Sequence, residues 1–152
     1  MPLRSSIPLL LAALLFSAAG LAQTAPAAAL PSFVSLRLLD ADTGQPIPNL
    51  KALIYGDTGG KPLPISPLGD LYEIEITAQA NLKLGLIASN VDTTEFTPCI
   101  PQSDQAFNIK QVQAQGIAPP NKCSKKTHPA APGELVIFLR RTHWWERWKH
   151  EE

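Results

Sequence analysis

The chain has 152 residues and a mass of 16.4 kDa, with 13 basic and 13 acidic side chains and 45% hydrophobic positions. A net charge of zero provides no chain-wide attraction for nucleic acid or an anionic membrane, and the hydrophobic share is too high for a mainly disordered chain. The length fits one compact domain.

Residues 1–22 read as a secretory signal peptide. Arg4 is the only charge before the apolar run IPLLLAALLFSAAGLA, which closes on the small-residue pattern Gly20-Leu21-Ala22, with cleavage expected after Ala22. The rival reading is an uncleaved anchor, against which stand Pro8, Ser17 and the abrupt polar end at Gln23-Thr24. Cleavage would leave 130 residues with a formal charge of −1, in the periplasm or secreted. There Cys99 and Cys123 are expected to form one disulfide; a redox or metal role has no C-x-x-C motif or zinc spacing to support it. Closing that loop stabilises a fold by about 3 kcal/mol in the chain-entropy model.

Residues 23–32 are Ala/Pro-rich and uncharged, a flexible lead-in to a domain expected over 33–141. Val34, Leu36 and Leu38 alternate with Ser35, Arg37 and Leu39, which predicts a half-buried strand ended by Asp40. The nine residues ADTGQPIPN form a turn-rich connection to a second strand over Leu50–Tyr55. The glycines and prolines of GDTGGKPLPISPLGD predict an irregular loop. In LYEIEIT, Tyr72, Ile74 and Ile76 alternate with Glu73, Glu75 and Thr77, so one sheet face is wet and the sheet reads as antiparallel. Leu82–Ala88 repeats the pattern with Leu82, Leu84 and Leu86 inward, and Gly85 signals a bulge or a close neighbour. Farther on, Thr94–Thr97 is expected as a short edge strand and Phe107–Gln113 as another strand. A polar loop carries Cys123 to Glu134–Leu139, whose apolar residues on both faces fit a central strand. Six or seven short strands predict an all-β, antiparallel β-sandwich with a short C-terminal helix.

The stretch LRLLDADTGQPIPNLKALIYG, with its Asp-x-x-Thr-Gly-x-Pro-Ile-Pro-Asn turn, followed by LGDLYEIEI and NLKLGLIAS, resembles carboxypeptidase regulatory-like domains over residues 34–89. The resemblance implies a transthyretin-like, Ig-like sandwich that serves as a non-catalytic accessory or binding module. The histidine and arginine set of the transthyretin-like hydrolases of purine degradation has no counterpart here, so no catalytic residue is carried over.

Nothing else in the chain names a reaction. His128, His143 and His150 have no metal spacing, and Glu73 and Glu75 fit the solvated face of a sheet better than a glycosidase pair. Neither a cofactor nor a metal is implied. The unusual feature is residues 142–152, within which Trp144, Trp145 and Trp148 all fall. With Thr142 as N-cap they lie at i, i+1 and i+4 on one stripe of a short helix. Residues 122–152 hold seven basic and four acidic side chains, against five and nine in residues 23–121. The stripe either packs back on the sandwich or, with Arg140 and Arg141, forms an interaction patch for an envelope or extracellular protein or a membrane interface. The expectation is a binding module; the alternatives are a small hydrolase with unrecognised loop residues and a structural part of an envelope assembly.

Overall fold

The computed structural model describes residues 32–57 and 59–147; the leader, residues 23–31 of the expected lead-in and Trp148 lie outside the described residues, and Ser32, expected in the lead-in, opens the first strand. It contains eight strands, β1 (Ser32–Asp40), β2 (Leu50–Gly56), β3 (Ile65–Leu68), β4 (Leu71–Ile76), β5 (Asn81–Ser89), β6 (Glu95–Pro98), β7 (Ala106–Asn108) and β8 (Glu134–Arg141). Two short helices, α1 (Ile109–Gln115) and α2 (Trp144–Arg147), complete it. The strands form one sheet in the order β2-β5-β6-β8-β1-β4-β3, with β7 added beside β5, curled into a nearly closed barrel-like shape. The protein is therefore mostly β, as composition and periodicity predict, but its hydrogen bonding traces one curled sheet of eight strands. One pair is parallel: β1 aligns with β8 from Ser35↔Glu134 to Asp40↔Leu139. A purely antiparallel sheet is thereby corrected.

Alternation places the core. Val34, Leu36 and Leu38 of β1, Ile74 and Ile76 of β4, and Leu135, Ile137 and Leu139 of β8 are all buried in the barrel interior. Ile109 and Val112 of α1 pack into the same core at one end. The expected strand over Phe107–Gln113 is in fact the last two residues of β7 followed by the first five of α1. Asn108 caps that helix by accepting the Gln111 N–H at 3.1 Å, and Gly116 stops it with φ 74°. The expected irregular loop before Gly69 contains β3, an edge strand that tolerates Pro67 because no ladder partner needs the missing N–H. β6 lies between β5 and β8 and is not an edge.

β5 departs from its apparent alternation. Its register with β2 slips between Ala52↔Ile87 and Ile54↔Leu84, so β5 carries one extra residue there. The bulge reverses the phase beyond it: Ile87 becomes buried and Leu86 is 55% exposed, not inward. Gly85 is required because a Cβ there would collide with the Tyr55 ring.

β8 is buried on both faces. On its outer face Val136 and Phe138 join Leu39, Ala41 and Cys99 in a second small cluster. The loop that includes Cys99's partner passes over it, and the Cys99–Cys123 disulfide, with Cα atoms 5.5 Å apart, ties that cover down. Lys122 N–H donates to Cys99 O at 2.9 Å, and the Asn121 amide donates to Ala41 O at 3.1 Å. Arg37 and Glu134 pair at 2.5 Å on the same face.

Two outcomes follow. Replacing the exposed half of the disulfide, Cys123→Ser, lowers stability by about 3 kcal/mol, roughly 10 °C in Tm, with no further loss on adding reductant to the variant. Gly85→Ala costs about 2 kcal/mol in urea unfolding through the clash with Tyr55, more than an alanine in an open turn would.

Candidate functional site

The expected turn motif builds one wall of a groove. Asp40 Oδ1 accepts hydrogen bonds from Asp42 N–H (3.1 Å), Thr43 N–H (2.8 Å) and Thr43 Oγ1 (2.9 Å), and these bonds, the Thr43 N–H foremost, hold its carboxyl below the usual range. Gly44, at φ 73°, donates to Asp40 O and completes the turn. The chain then runs as Gln45-Pro46-Ile47-Pro48, fastened by Ile47 N–H to Leu38 O at 3.2 Å, and Asn49, at φ 56°, redirects it into β2. The opposite wall is Pro62, Leu63, Ile65 and Pro67, followed by the Gly69-Asp70 turn into β4. Between the walls lies a groove of about 760 Å³.

The groove is the seam of the curled sheet, for β2 and β3 are its two ends. Leu63, two residues before β3, donates its N–H to Ile54 O of β2 at 2.7 Å. At the other end the Leu50 N–H goes to the Tyr72 hydroxyl at 3.1 Å, and Pro67 has no N–H to offer. Beyond that bond no backbone hydrogen bond joins β2 to β3 among the described residues.

Which backbone groups face the gap follows from alternation. Asn90 N–H donates to Asn49 O, so Asn49 and Lys51 address β5 while Leu50 and Ala52 address the seam. Glu75 N–H donates to Pro64 O, so Pro64 and Ser66 address β4 while Ile65 and Pro67 address the seam. Ala52 and Ile65 each turn an N–H and a C=O into the groove, and among the described residues no backbone partner spans it at their level. The lining side chains are mainly apolar or amide, with one cation, Lys51, and one anion, Asp70.

The C-terminal patch is organised differently from its expectation. Thr142 is not the cap: its hydroxyl bonds the Thr97 hydroxyl at 2.8 Å and its N–H bonds Glu95 O, extending the sheet. Glu146 instead reaches back to the His143 N–H at 3.0 Å, the returning half of a capping box, so His143 rather than Thr142 caps α2. Arg140 grips the same carboxylate through two nitrogens at 2.9 and 2.5 Å. The Arg140 bonds, followed by the His143 N–H, depress the Glu146 pKa to about 2. Trp145 is 48% exposed and stacks on His143, with centroids 4.2 Å apart. Arg141 is exposed beside Arg140 at the end of β8. Trp148, and the side chain of Trp144, lie outside the described residues. His128 Nδ1 lies 2.7 Å from Pro129 O in the cover loop. Glu73 and Glu75 share the outer face of β4, away from the groove. No cluster of three metal-ligating side chains occurs among the described residues, and no described helix is long and apolar enough to cross a membrane.

The turn motif was readable in the sequence; the groove was not, because its second wall sits in the segment read as an irregular loop. The run of Pro62, Pro64 and Pro67 was the available signal. Comparison with protein-family models, curated proteins and solved structures finds no match to this chain.

Two carboxylates tie the outer features to pH. Burial alone would raise the Glu134 pKa, but the Ala131 N–H and the Arg37 guanidinium outweigh it and the net shift is downward. Glu146 shifts from 4.5 to about 2. Lowered folded-state values mean stabilisation that is complete above the unfolded value and lost as pH falls through the folded one. Tm is therefore expected to be flat above about pH 5 and to decline toward pH 2, and Glu146→Gln should remove part of that decline, read by differential scanning calorimetry.

Proposed function

We propose that the protein is a secreted or periplasmic, non-catalytic binding module that captures an envelope or extracellular protein, with the seam groove as its binding site. The observation that carries this reading is the groove itself: a large cleft between two sheet ends, in which apolar side chains alternate with amide and backbone polar groups, fits a binding site better than a reaction centre. The disulfide supports an oxidising compartment, which is where the expected leader would deliver the chain. The formed Asp40-Thr43-Gly44 turn supports the likeness to carboxypeptidase regulatory-like, transthyretin-like modules, whose role would be accessory binding.

A second reading is favoured by the half-exposed Trp145: Arg140, Arg141, Trp144, Trp145 and Trp148 would dock a partner protein or a membrane interface. The two separate in one experiment. Pro62 is exposed at the groove mouth, so Pro62→Arg obstructs the groove without disturbing the core. The full-length mature protein is used as bait on envelope and extracellular fractions, beside Pro62→Arg and a variant lacking residues 142–152. A stoichiometric partner lost with Pro62→Arg and kept by the truncation is the expected result; a partner lost only with the truncation assigns the site to the tail, and none with the intact protein refutes the binding role.

A further inference from the structure

The seam has more information in it than volume. An apolar pocket for a small hydrophobic molecule needs only surface, and unpaired backbone groups inside it would be a cost. Here the groove is lined by such groups at Ala52 and Ile65 and by the Pro67 carbonyl. Leu63 and Ile54 are already paired, and the same antiparallel register sets Ala52 opposite Ile65 and Leu50 opposite Pro67. Ala52, which is buried, and Ile65, which is half-buried, thus address each other across the gap, and among the described residues no backbone hydrogen bond joins them.

Rejoining two such edges takes a chain that offers donors and acceptors on both sides, which is what an extended polypeptide does. From Leu50 to Ile54 the edge is about 13 Å long at the rise of a strand, room for about four or five residues. Side chains of an inserted strand would alternate between the barrel interior, beside Ile47, Leu63 and Ile65, and solvent. Charge narrows the occupant further. Lys51 and Asp70 oppose each other in sign and no other lining side chain among the described residues is charged, so these lining side chains sum to no net charge and complement an uncharged segment.

Resting on the binding role proposed above, we infer that the groove is filled by an uncharged, alternately apolar extended segment of another protein, inserted as a strand between β2 and β3. It bonds Ala52 on one side and Ile65 and the Pro67 carbonyl on the other, and completes the closure of the sheet.

The test uses the full chain and a defined probe, a capped pentapeptide of alternating threonine and valine. Hydrogen exchange of the Ala52 and Ile65 amides is followed by NMR without and with the peptide. The half-buried Ile65 amide is expected to exchange faster in the free protein than the buried Ala52 amide, and both are expected to slow by about tenfold or more when the peptide is bound. The same peptide N-methylated at its valines should bind about tenfold more weakly, the loss of a hydrogen bond or two. Ile65→Pro removes one seam-facing donor from an edge that already accepts Pro67, and should weaken binding by a similar factor, whereas Ile65→Val, which keeps the N–H, should not.

Equal binding of the N-methylated peptide overturns the inference, as does absence of peptide binding at about 1 mM. Dimerisation of the protein through the seam, seen by analytical ultracentrifugation, also overturns it by assigning the edge to a second copy. Dodecyl maltoside separates the two levels. If the detergent perturbs the groove amides and the peptide does not, strand insertion fails and a binding groove for apolar small molecules stands; if neither perturbs them, the groove's binding role fails as well.

Discussion

A curled sheet is stable only if its two ends are dealt with, because an end strand carries a row of backbone groups that must find water or a partner. In this protein the ends nearly meet. The Leu63 to Ile54 bond begins the closure, and Tyr72, reaching from β4, holds the far end apart by taking the Leu50 N–H for itself. The shape of the interior, the position of the Pro46-Ile47-Pro48 wall and the existence of a groove all depend on this incomplete ladder. Full closure would pair the Ala52 and Ile65 backbones with each other and leave no site.

The second constraint is β8. Its apolar residues on both faces require cover on the outside of the sheet as well as a core within. The loop available for this, residues 117–133, is poor in large apolar side chains, so packing alone would hold it weakly. The Cys99–Cys123 bond supplies the attachment, with Asn121 and Ser124 anchored to Ala41 O beside it. The staple thus sits where hydrophobic burial is scarce, rather than within the core that Leu36, Ile74 and Ile137 fill unaided.

How much of this could be read from residues alone depended on the range of the interaction. β1, β2, β4 and β8 were legible because alternation and two-sided burial are local patterns. The disulfide was legible from cysteine count and the expected compartment. β3 was hidden by Pro64 and Pro67, which forbid a central strand yet suit an edge. α1 was hidden by its seven residues, too few for a helical period, although Asn108, the Ile109/Val112 spacing and Gly116 mark its start, inner face and end. In β5 the bulge at Gly85 was visible but not its effect on the residues beyond, which turned Leu86 out and Ile87 in. The groove lay farthest from reach, since its walls come from separate loops brought together only by the way the sheet comes round.

The parallel β1–β8 pair has a mechanical consequence. The first described strand begins at Ser32 and the last ends at Arg141, at opposite ends of neighbouring strands that run the same way. Tension applied between those two points slides β1 along β8, so the six paired positions from Ser35 to Asp40 share the load in shear instead of parting one after another. Because β1 also bonds β4 on its other side, the strand cannot swing away to relieve it. A module held between an anchor at one end and a cargo at the other would resist being pulled open along the very axis on which it is tethered.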